Sequence, residues 1–180
     1  MAILWVTIGL LAILGLTVAI ILAARYYERK RTEAMAAAAA EIGLTFSAVQ
    51  DEALLETLQV FSLFNQGHSR KMRNLMVAET DLATLTIFDY RFVTGGGQHS
   101  TTHRQSVILM QSDSLELPRF RLKPEGFFDK IGAVIGFQDI DFDENPEFSK
   151  AFTLKGDDEE AIRAFFDSKM LTEFLQHQGR

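Results

Sequence analysis

The sequence predicts an α+β protein in which an N-terminal transmembrane helix precedes a largely antiparallel sheet with flanking helices. Two observations carry this expectation. Residues 2–24 contain no charged side chain, which is typical of a membrane span. Beyond them, alternating apolar and polar runs separated by glycines fill the middle of the chain, and apolar residues at helical spacing lie on either side. An order of helix, strands and helix favours an α+β domain.

The opening apolar run is long enough to cross a bilayer. A helix rises ~1.5 Å per residue, so residues 2–24 extend ~34 Å, against ~30 Å of hydrocarbon. Four basic residues follow within seven positions, and no Lys or Arg precedes the run: Arg25, Arg29, Lys30 and Arg31. Because basic residues stay on the cytoplasmic side, we expect a single-pass inner-membrane protein with its N-terminus outside and the remainder in the cytoplasm. The alternative is a cleaved secretory signal, which the uncharged start and the long apolar core disfavour.

The remainder is predicted to contain a stalk and one domain. Residues 25–43 form a basic collar and an alanine-rich helical stalk that ends at Gly43, and residues 44–180 form a single soluble α+β domain. Beyond Arg31 the chain keeps 14 of its 18 Lys and Arg and 23 of its 24 Asp and Glu, a net charge of −9. This charge repels phosphate backbones and argues against a nucleic-acid partner. The lack of cysteine excludes disulfides, thiolate catalysis and Cys-ligated metals.

Strands are predicted in the middle of the chain and again near its end. The runs with strand alternation cover residues 44–49, 71–78, 82–94, 101–111, 117–124 and 148–154. The run at 117–124 has a proline near each end, which favours an edge strand. Helices are predicted after Asp51 and over residues 125–131. After a capping box of Asp157 and Glu160, we expect either two helices or one helix kinked near Asp167-Ser168.

Three consecutive glycines, residues 95–97, separate two of the predicted strands. A glycine turn between strands predicts a hairpin, because glycine adopts positive φ without strain. A turn at Gly96-Gly97 sets opposite charges directly across the strands, which is favourable. The predicted opposite pairs are Asp89 with Arg104 and Tyr90 with His103.

Four short patches resemble a family of bacterial proteins. The patches are Ile-Phe-Asp-Tyr-Arg at 87–91, Leu-Pro-x-Phe-x-Leu-x-Pro-Glu at 117–125, Gly-Phe-Gln-Asp-Ile-Asp-Phe at 136–142, and Phe148-Ser149. The chain is similar in these patches to an uncharacterised bacterial family of single-pass, membrane-anchored proteins. The resemblance implies an envelope protein with no assigned activity and transfers no catalytic residue.

Motifs that carry chemistry are weak in this sequence. Asp139, Asp141 and Asp143 have the spacing of calcium-loop ligands, but Glu144 and Lys150 occupy the positions that need Gly and Glu. The glycine run is not a phosphate loop, because no Lys-Ser/Thr follows it. We therefore predict no catalytic residue, no metal site and no cofactor.

Two hypotheses for function follow. The first is a membrane-tethered cytoplasmic binding or scaffolding module, whose partners are the bilayer and a protein partner or a second copy of the chain. Two basic clusters would contact an anionic ligand or partner: Arg70, Lys71 and Arg73, and Arg119, Arg121 and Lys123. The alternative is a membrane-anchored enzyme, which requires several carboxylate, His and neighbouring side chains to meet in one pocket. The candidates are Asp89, Tyr90, His103, Arg104, Asp139 and Asp141.

Overall fold

One long helix opens the chain in the computed structural model, which describes residues 2–125 and 138–177. Helix α1 spans Ala2–Glu41 without a break and therefore contains both the apolar run and the predicted stalk. The helix is long and apolar enough to cross a membrane, and none of its most apolar stretch is buried by protein. The predicted glycine cap is present two residues after the helix, at Gly43, whose φ of 76° lets Leu44 N donate to Ala39 O at 2.8 Å.

The chain divides into two compact units, Met1–Ser112 and Asp113–Arg180. The sequence grouped residues 44–180 as one domain, and that grouping stays a prediction. The α+β class is confirmed, since an antiparallel four-stranded sheet with flanking helices follows the apolar helix. Each unit has buried apolar side chains of its own.

The first unit is built on an antiparallel sheet of order β1-β2-β3-β4. Its elements after α1 are β1 (Thr45–Ser47), α2 (Glu52–Thr57), β2 (His68–Glu79), β3 (Thr84–Thr94) and β4 (Thr101–Gln111), with 3₁₀ turns at Leu58–Val60, Ser62–Asn65 and Gly97–His99. All four strands that were predicted for this part of the chain are present, and β4 has its predicted bounds. The predicted cap of α2 is confirmed, because Asp51 Oδ1 accepts a hydrogen bond from Leu54 N at 2.9 Å.

The two faces of this sheet carry different side chains. Phe88, Tyr90 and Phe92 alternate along β3 and are buried on one face. Phe64, from the 3₁₀ turn before β2, packs on this face with its ring centroid 4.7 Å from that of Tyr90. Asp89 lies on the other face, where α1 binds it. Helix α1 thus covers the polar face, and the aromatic core lies on the opposite one.

The register of the β3–β4 hairpin differs from the prediction by two residues. Thr94 pairs with Thr101, so the loop contains residues 95–100. The prediction of a two-residue turn is therefore wrong. The loop is longer because Gly97–His99 forms a 3₁₀ turn in which His99 N donates to Gly96 O at 3.1 Å. The even shift keeps every side chain on its expected face. It nevertheless exchanges the pairs: Asp89 with Ser106, Tyr90 with Gln105, Arg91 with Arg104 and Phe92 with His103.

In the described residues of the second unit, a three-stranded antiparallel sheet of order β5-β7-β6 is accompanied by three helices. The elements are β5 (Phe120–Pro124), β6 (Gln138–Asp139), α3 (Pro146–Ala151), β7 (Phe152–Gly156), α4 (Glu159–Phe165) and α5 (Ser168–Gln176). The predicted edge strand corresponds to β5, which is paired on one side by β7. A core rich in phenylalanine, including Phe148 and Phe166, packs between these elements.

Three predictions for the second unit need correction. The strand expected over residues 148–154 begins at Phe152, because Asn145 caps α3 and Pro146 occupies its first turn. The caps of the last two helices are Asp158 and Asp167, each one residue from the predicted position. The two separate helices themselves are confirmed. Of the helix predicted over residues 125–131, only Glu125 lies within the described residues.

Candidate anion-binding cleft

A cleft lies in the first unit between α1 and the polar face of strands β2–β4. Its volume is about 510 Å³, and α1 contributes the turn that directly follows the apolar run. Five basic side chains line it, Arg31, Lys71, Arg73, Arg91 and Arg104. Two carboxylates, Glu28 and Asp89, also line it, so the lining has an excess of three positive charges.

The floor of the cleft is an ion pair that joins helix to sheet. Arg31 Nε donates to Asp89 Oδ2 at 2.7 Å, and Arg31 Nη2 donates to Asp89 Oδ1 at 2.6 Å. Ser106, directly across from Asp89 on β4, donates to Oδ1 at 3.2 Å. A two-pronged arginine–carboxylate pair fixes direction as well as distance. The turn of α1 around Arg31 is therefore held at one place on the sheet.

A bulge in β2 adds a buried amide to this contact. Residues Arg73 and Met76 pair with Asp89 and Ile87, so β2 has an extra residue at this point. Asn74 at the bulge has φ 54° and is 5 % exposed. Its Nδ2 donates to Asp89 Oδ2 at 2.9 Å, and its Oδ1 accepts from Thr32 Oγ1 at 2.8 Å. Bulges re-aim side chains, and this one turns Asn74 towards α1 beside Arg73.

The hydrogen bonds around Asp89 control its ionisation. Partial burial alone would raise the pKa of Asp89, because it disfavours the charged form. The donors Arg31, Asn74 and Ser106 outweigh this effect, and the pKa of Asp89 lies below its ordinary value. Asp89 is therefore a stable carboxylate at neutral pH.

Three cations lie side by side next to this ion pair. Lys71 pairs directly with Arg91 across β2 and β3, and Arg91 pairs directly with Arg104 across β3 and β4. Directly opposed residues point to the same face, and here all three line the cleft. We call Lys71, Arg91 and Arg104 the cation row. Like charges in such positions repel one another, so the row is unfavourable without a counter-ion.

The acidic side chains of the cleft neutralise the cation row only in part. Glu28 lies 3.7 Å from Arg104 and 3.3 Å from Arg73, and so divides one charge between two arginines. Arg91 Nε is buried and has no hydrogen-bond partner among the described residues. A buried donor without an acceptor is costly. The geometry therefore supplies donors that an anion would satisfy.

The first predicted basic cluster is divided between two roles. Lys71 and Arg73 line the cleft, whereas the guanidinium of Arg70 donates to backbone carbonyls of the preceding loop. Its three acceptors are Gln66 O at 3.1 Å, Asn65 O at 2.9 Å and Gly67 O at 3.0 Å. Arg70 also borders a second depression of about 430 Å³, together with Lys71 and Arg73. Arg31 and Arg91 were missed, and Arg104 was named only for the enzyme hypothesis.

The second predicted basic cluster lies in the second unit. Arg119 is exposed just before β5, and Arg121 and Lys123 are half-buried on that strand. Arg121 pairs across the sheet with Lys155, which forms an ion pair with Asp139 at 3.3 Å. None of the three lines the cleft of the first unit.

The six residues of the enzyme hypothesis are distributed over different surroundings. Asp89 and Arg104 line the cleft on the polar face, and Tyr90 also borders it although its ring is buried in the aromatic core on the opposite face. His103 lies on the opposite face, stacked on Phe92 with centroids 4.7 Å apart and bonded to Thr94 Oγ1 at 2.8 Å. The other two, Asp139 and Asp141, belong to the second unit. Across residues 2–125 and 138–177, no three His, Asp or Glu side chains are grouped as metal ligands.

Comparison with family models, curated proteins and solved structures finds no match to this chain. The resemblance to a bacterial membrane-anchored family stays a prediction.

Proposed function

We propose that the protein is a single-pass inner-membrane protein whose cytoplasmic part is a binding module for an anionic ligand. The observation that carries this proposal is the cation row, whose charge Glu28 neutralises only in part because it is shared with Arg73. A sheet gains nothing from three adjacent like charges, and an anion between them relieves the repulsion. Several charge-assisted hydrogen bonds to one anion would then form on a rigid surface.

The membrane tether and its orientation rest on α1 and its basic collar. The apolar side chains of α1 are exposed along the whole of its most hydrophobic stretch, as a lipid-facing surface would be. Arg25, Arg29, Lys30 and Arg31 follow that stretch, which favours a cytoplasmic location for the sheet.

Binding is favoured over catalysis because both carboxylates of the cleft are engaged. Asp89 accepts hydrogen bonds from Arg31, Asn74 and Ser106, and Glu28 is within ion-pair distance of Arg73 and Arg104. The pKa of Asp89 lies below its ordinary value, so Asp89 is a weak proton acceptor and is not suited to act as a general base.

Titration calorimetry of the full chain in nonionic detergent tests the binding, with inorganic phosphate as the probe. We expect Arg91→Gln to weaken phosphate binding by about tenfold, because it removes one charge-assisted contact. Lys169→Gln, an exposed change on α5, is the charge-matched control and should leave the affinity unchanged. Equal affinities for wild type and Arg91→Gln, with both proteins folded, would contradict the proposal.

Cysteine labelling tests the orientation, since the natural chain has no cysteine to interfere. Gln98→Cys places one thiol on the exposed β3–β4 loop. A membrane-impermeant maleimide should label it only after the cells are lysed. Labelling in intact cells would place the sheet outside and overturn the orientation.

A further inference from the structure

The contacts of α1 show which end of the cleft is nearer to the apolar run. Glu28 lies beside Arg104, and Arg31, one turn later on α1, lies 3.1 Å from Ser106. Towards its N-terminus, α1 therefore passes from Arg31, which lies beside Ser106 of β4, to Glu28, which lies beside Arg104 of β4. The cation row consequently lies on the side of the Arg31 contact that is nearer to the apolar residues.

The distance from the apolar run to the cleft is short. Glu28 follows Ala24 by four residues, which is ~6 Å along a helix. The headgroup layer on each side of the hydrocarbon is roughly 5–8 Å thick. If α1 spans the bilayer, Glu28 and the cation row lie at the depth of the lipid phosphates or just beyond them, on the side away from the hydrocarbon.

We propose that the cleft holds the phosphate headgroup of an anionic phospholipid from the leaflet that α1 leaves. This inference rests on the proposed function and names the ligand class of the same site. A lipid phosphate reaches the cation row while its acyl chains stay in the bilayer beside α1. A lipid with net negative charge is preferred because the excess of three positive charges repels the cationic group of a zwitterionic lipid.

The geometry of the cation row suits a phosphate. Neighbouring strands are ~4.8 Å apart, so the three cations come from three adjacent strands and extend across ~10 Å along one wall of the cleft. Arg91 and Arg104 supply planar forks that match phosphate oxygens, and Lys71 supplies a mobile point charge. The basic collar attracts anionic lipid to the same boundary without forming a pocket.

Native mass spectrometry of the full chain released from nonionic detergent tests this inference. The probes are short-chain phosphatidylglycerol, short-chain phosphatidylcholine and glycerol phosphate, the last being a soluble phosphate ester of glycerol without acyl chains. We expect phosphatidylglycerol to bind at least tenfold more tightly than either of the other two. Lys71→Gln/Arg104→Gln should weaken phosphatidylglycerol binding by about a hundredfold, on the basis of about tenfold per charged contact.

The matched control is Arg25→Gln/Lys30→Gln, which removes the same charge from the collar and leaves the cleft intact. We expect its phosphatidylglycerol affinity to stay within about threefold of wild type, because it removes only diffuse attraction. An equal loss in the collar and cleft variants would overturn the inference in favour of diffuse attraction. Circular dichroism and the melting temperature of each variant establish that it is folded, and Arg104→Lys provides a milder cleft variant.

The remaining outcomes separate this inference from the function on which it rests. If glycerol phosphate binds as tightly as phosphatidylglycerol and the cleft variant weakens both, the ligand is soluble and the lipid inference fails while the binding function stands. If phosphatidylcholine binds as tightly as phosphatidylglycerol, the lipid inference also fails. If the cleft variant changes the binding of no probe, both proposals fail.

Discussion

Arg31 of α1 and Asp89 of β3 are 58 positions apart in the chain and form a two-pronged ion pair, with donor–acceptor distances of 2.6 and 2.7 Å. The pair is the point at which the helix that leaves the apolar run is attached to the sheet. The Asp89 side chain is 20 % exposed and the Arg31 side chain 56 % exposed, so the ion pair is partly accessible to solvent. On the side of the ion pair that faces away from solvent lies the buried side-chain amide of Asn74.

Asp89→Ala should destabilise the first unit by about 1–3 kcal/mol, because it leaves Arg31 and the buried Asn74 amide without their acceptor. Urea unfolding of the full chain in detergent, followed by circular dichroism, measures the change. Glu33→Ala is the control, since it removes only the exposed pair with Arg29 on α1 and should change stability by less than about 0.5 kcal/mol. A result for Asp89→Ala within the control's range would contradict the attachment described here.

The left-handed backbone of Asn74 separates two contributions to stability. Asn74→Ala loses both side-chain hydrogen bonds and also strains a residue at φ 54°. Asn74→Gly loses the same bonds but tolerates that φ, so it should be more stable than Asn74→Ala by about 1 kcal/mol. Thermal unfolding of both variants measures the difference. If Ala proves the more stable of the two, the bulge does not hold the conformation found here.

The lowered pKa of Asp89 makes the attachment sensitive to acid. A carboxyl whose pKa is lower in the folded state stabilises the fold above its unfolded pKa, about 3.9 for Asp, and this stabilisation is lost as the pH falls through the folded value. The difference in unfolding free energy between wild type and Asp89→Asn should therefore be constant near neutral pH and shrink below about pH 4. A difference that grows on acidification would contradict a lowered pKa of Asp89 in the folded protein. Unfolding curves at a series of pH values measure it.

The cation row should lower the stability of the free protein and favour the binding of an anion. Lys71 is exposed and has no ion pair within the described residues, so Lys71→Gln mainly removes repulsion from Arg91. In phosphate-free buffer this variant should be more stable than wild type by about 0.2–1 kcal/mol. Adding inorganic phosphate should raise the melting temperature of wild type more than that of the variant. A variant that is less stable in phosphate-free buffer would contradict repulsion in the row.

The elements of this protein were accessible from sequence because their signals are local. The uninterrupted apolar run predicts the first part of α1, and Gly43 predicts its end. Strand β4 begins after the glycine-containing loop and alternates throughout, so its bounds were predictable. The start of β7 was missed because apolar residues from Phe148 onward suit a strand as well as the short helix that Asn145 caps.

The cleft could not be predicted from the sequence, because it depends on the register of the strands, which local sequence patterns do not determine. The predicted turn placed Arg104 opposite Asp89, a favourable pair that gives no reason to expect an anion. The 3₁₀ turn in the loop moves Arg104 by two positions to face Arg91, and Lys71 completes the row from the other side. The bulge that brings Asn74 to α1 likewise has no clear sequence signal.

The continuity of α1 has a mechanical consequence. A single rod of 40 residues, ~60 Å long, runs through the apolar stretch and onto the sheet with no proline or kink to absorb rotation. Hydrophobic segments respond to a thinner or thicker bilayer by changing their tilt. When α1 is inserted in the membrane and attached to the sheet at Asp89, a change in the tilt of α1 rotates the sheet through the same angle. The angle that the cleft makes with the lipid surface is then set by the thickness of the membrane itself.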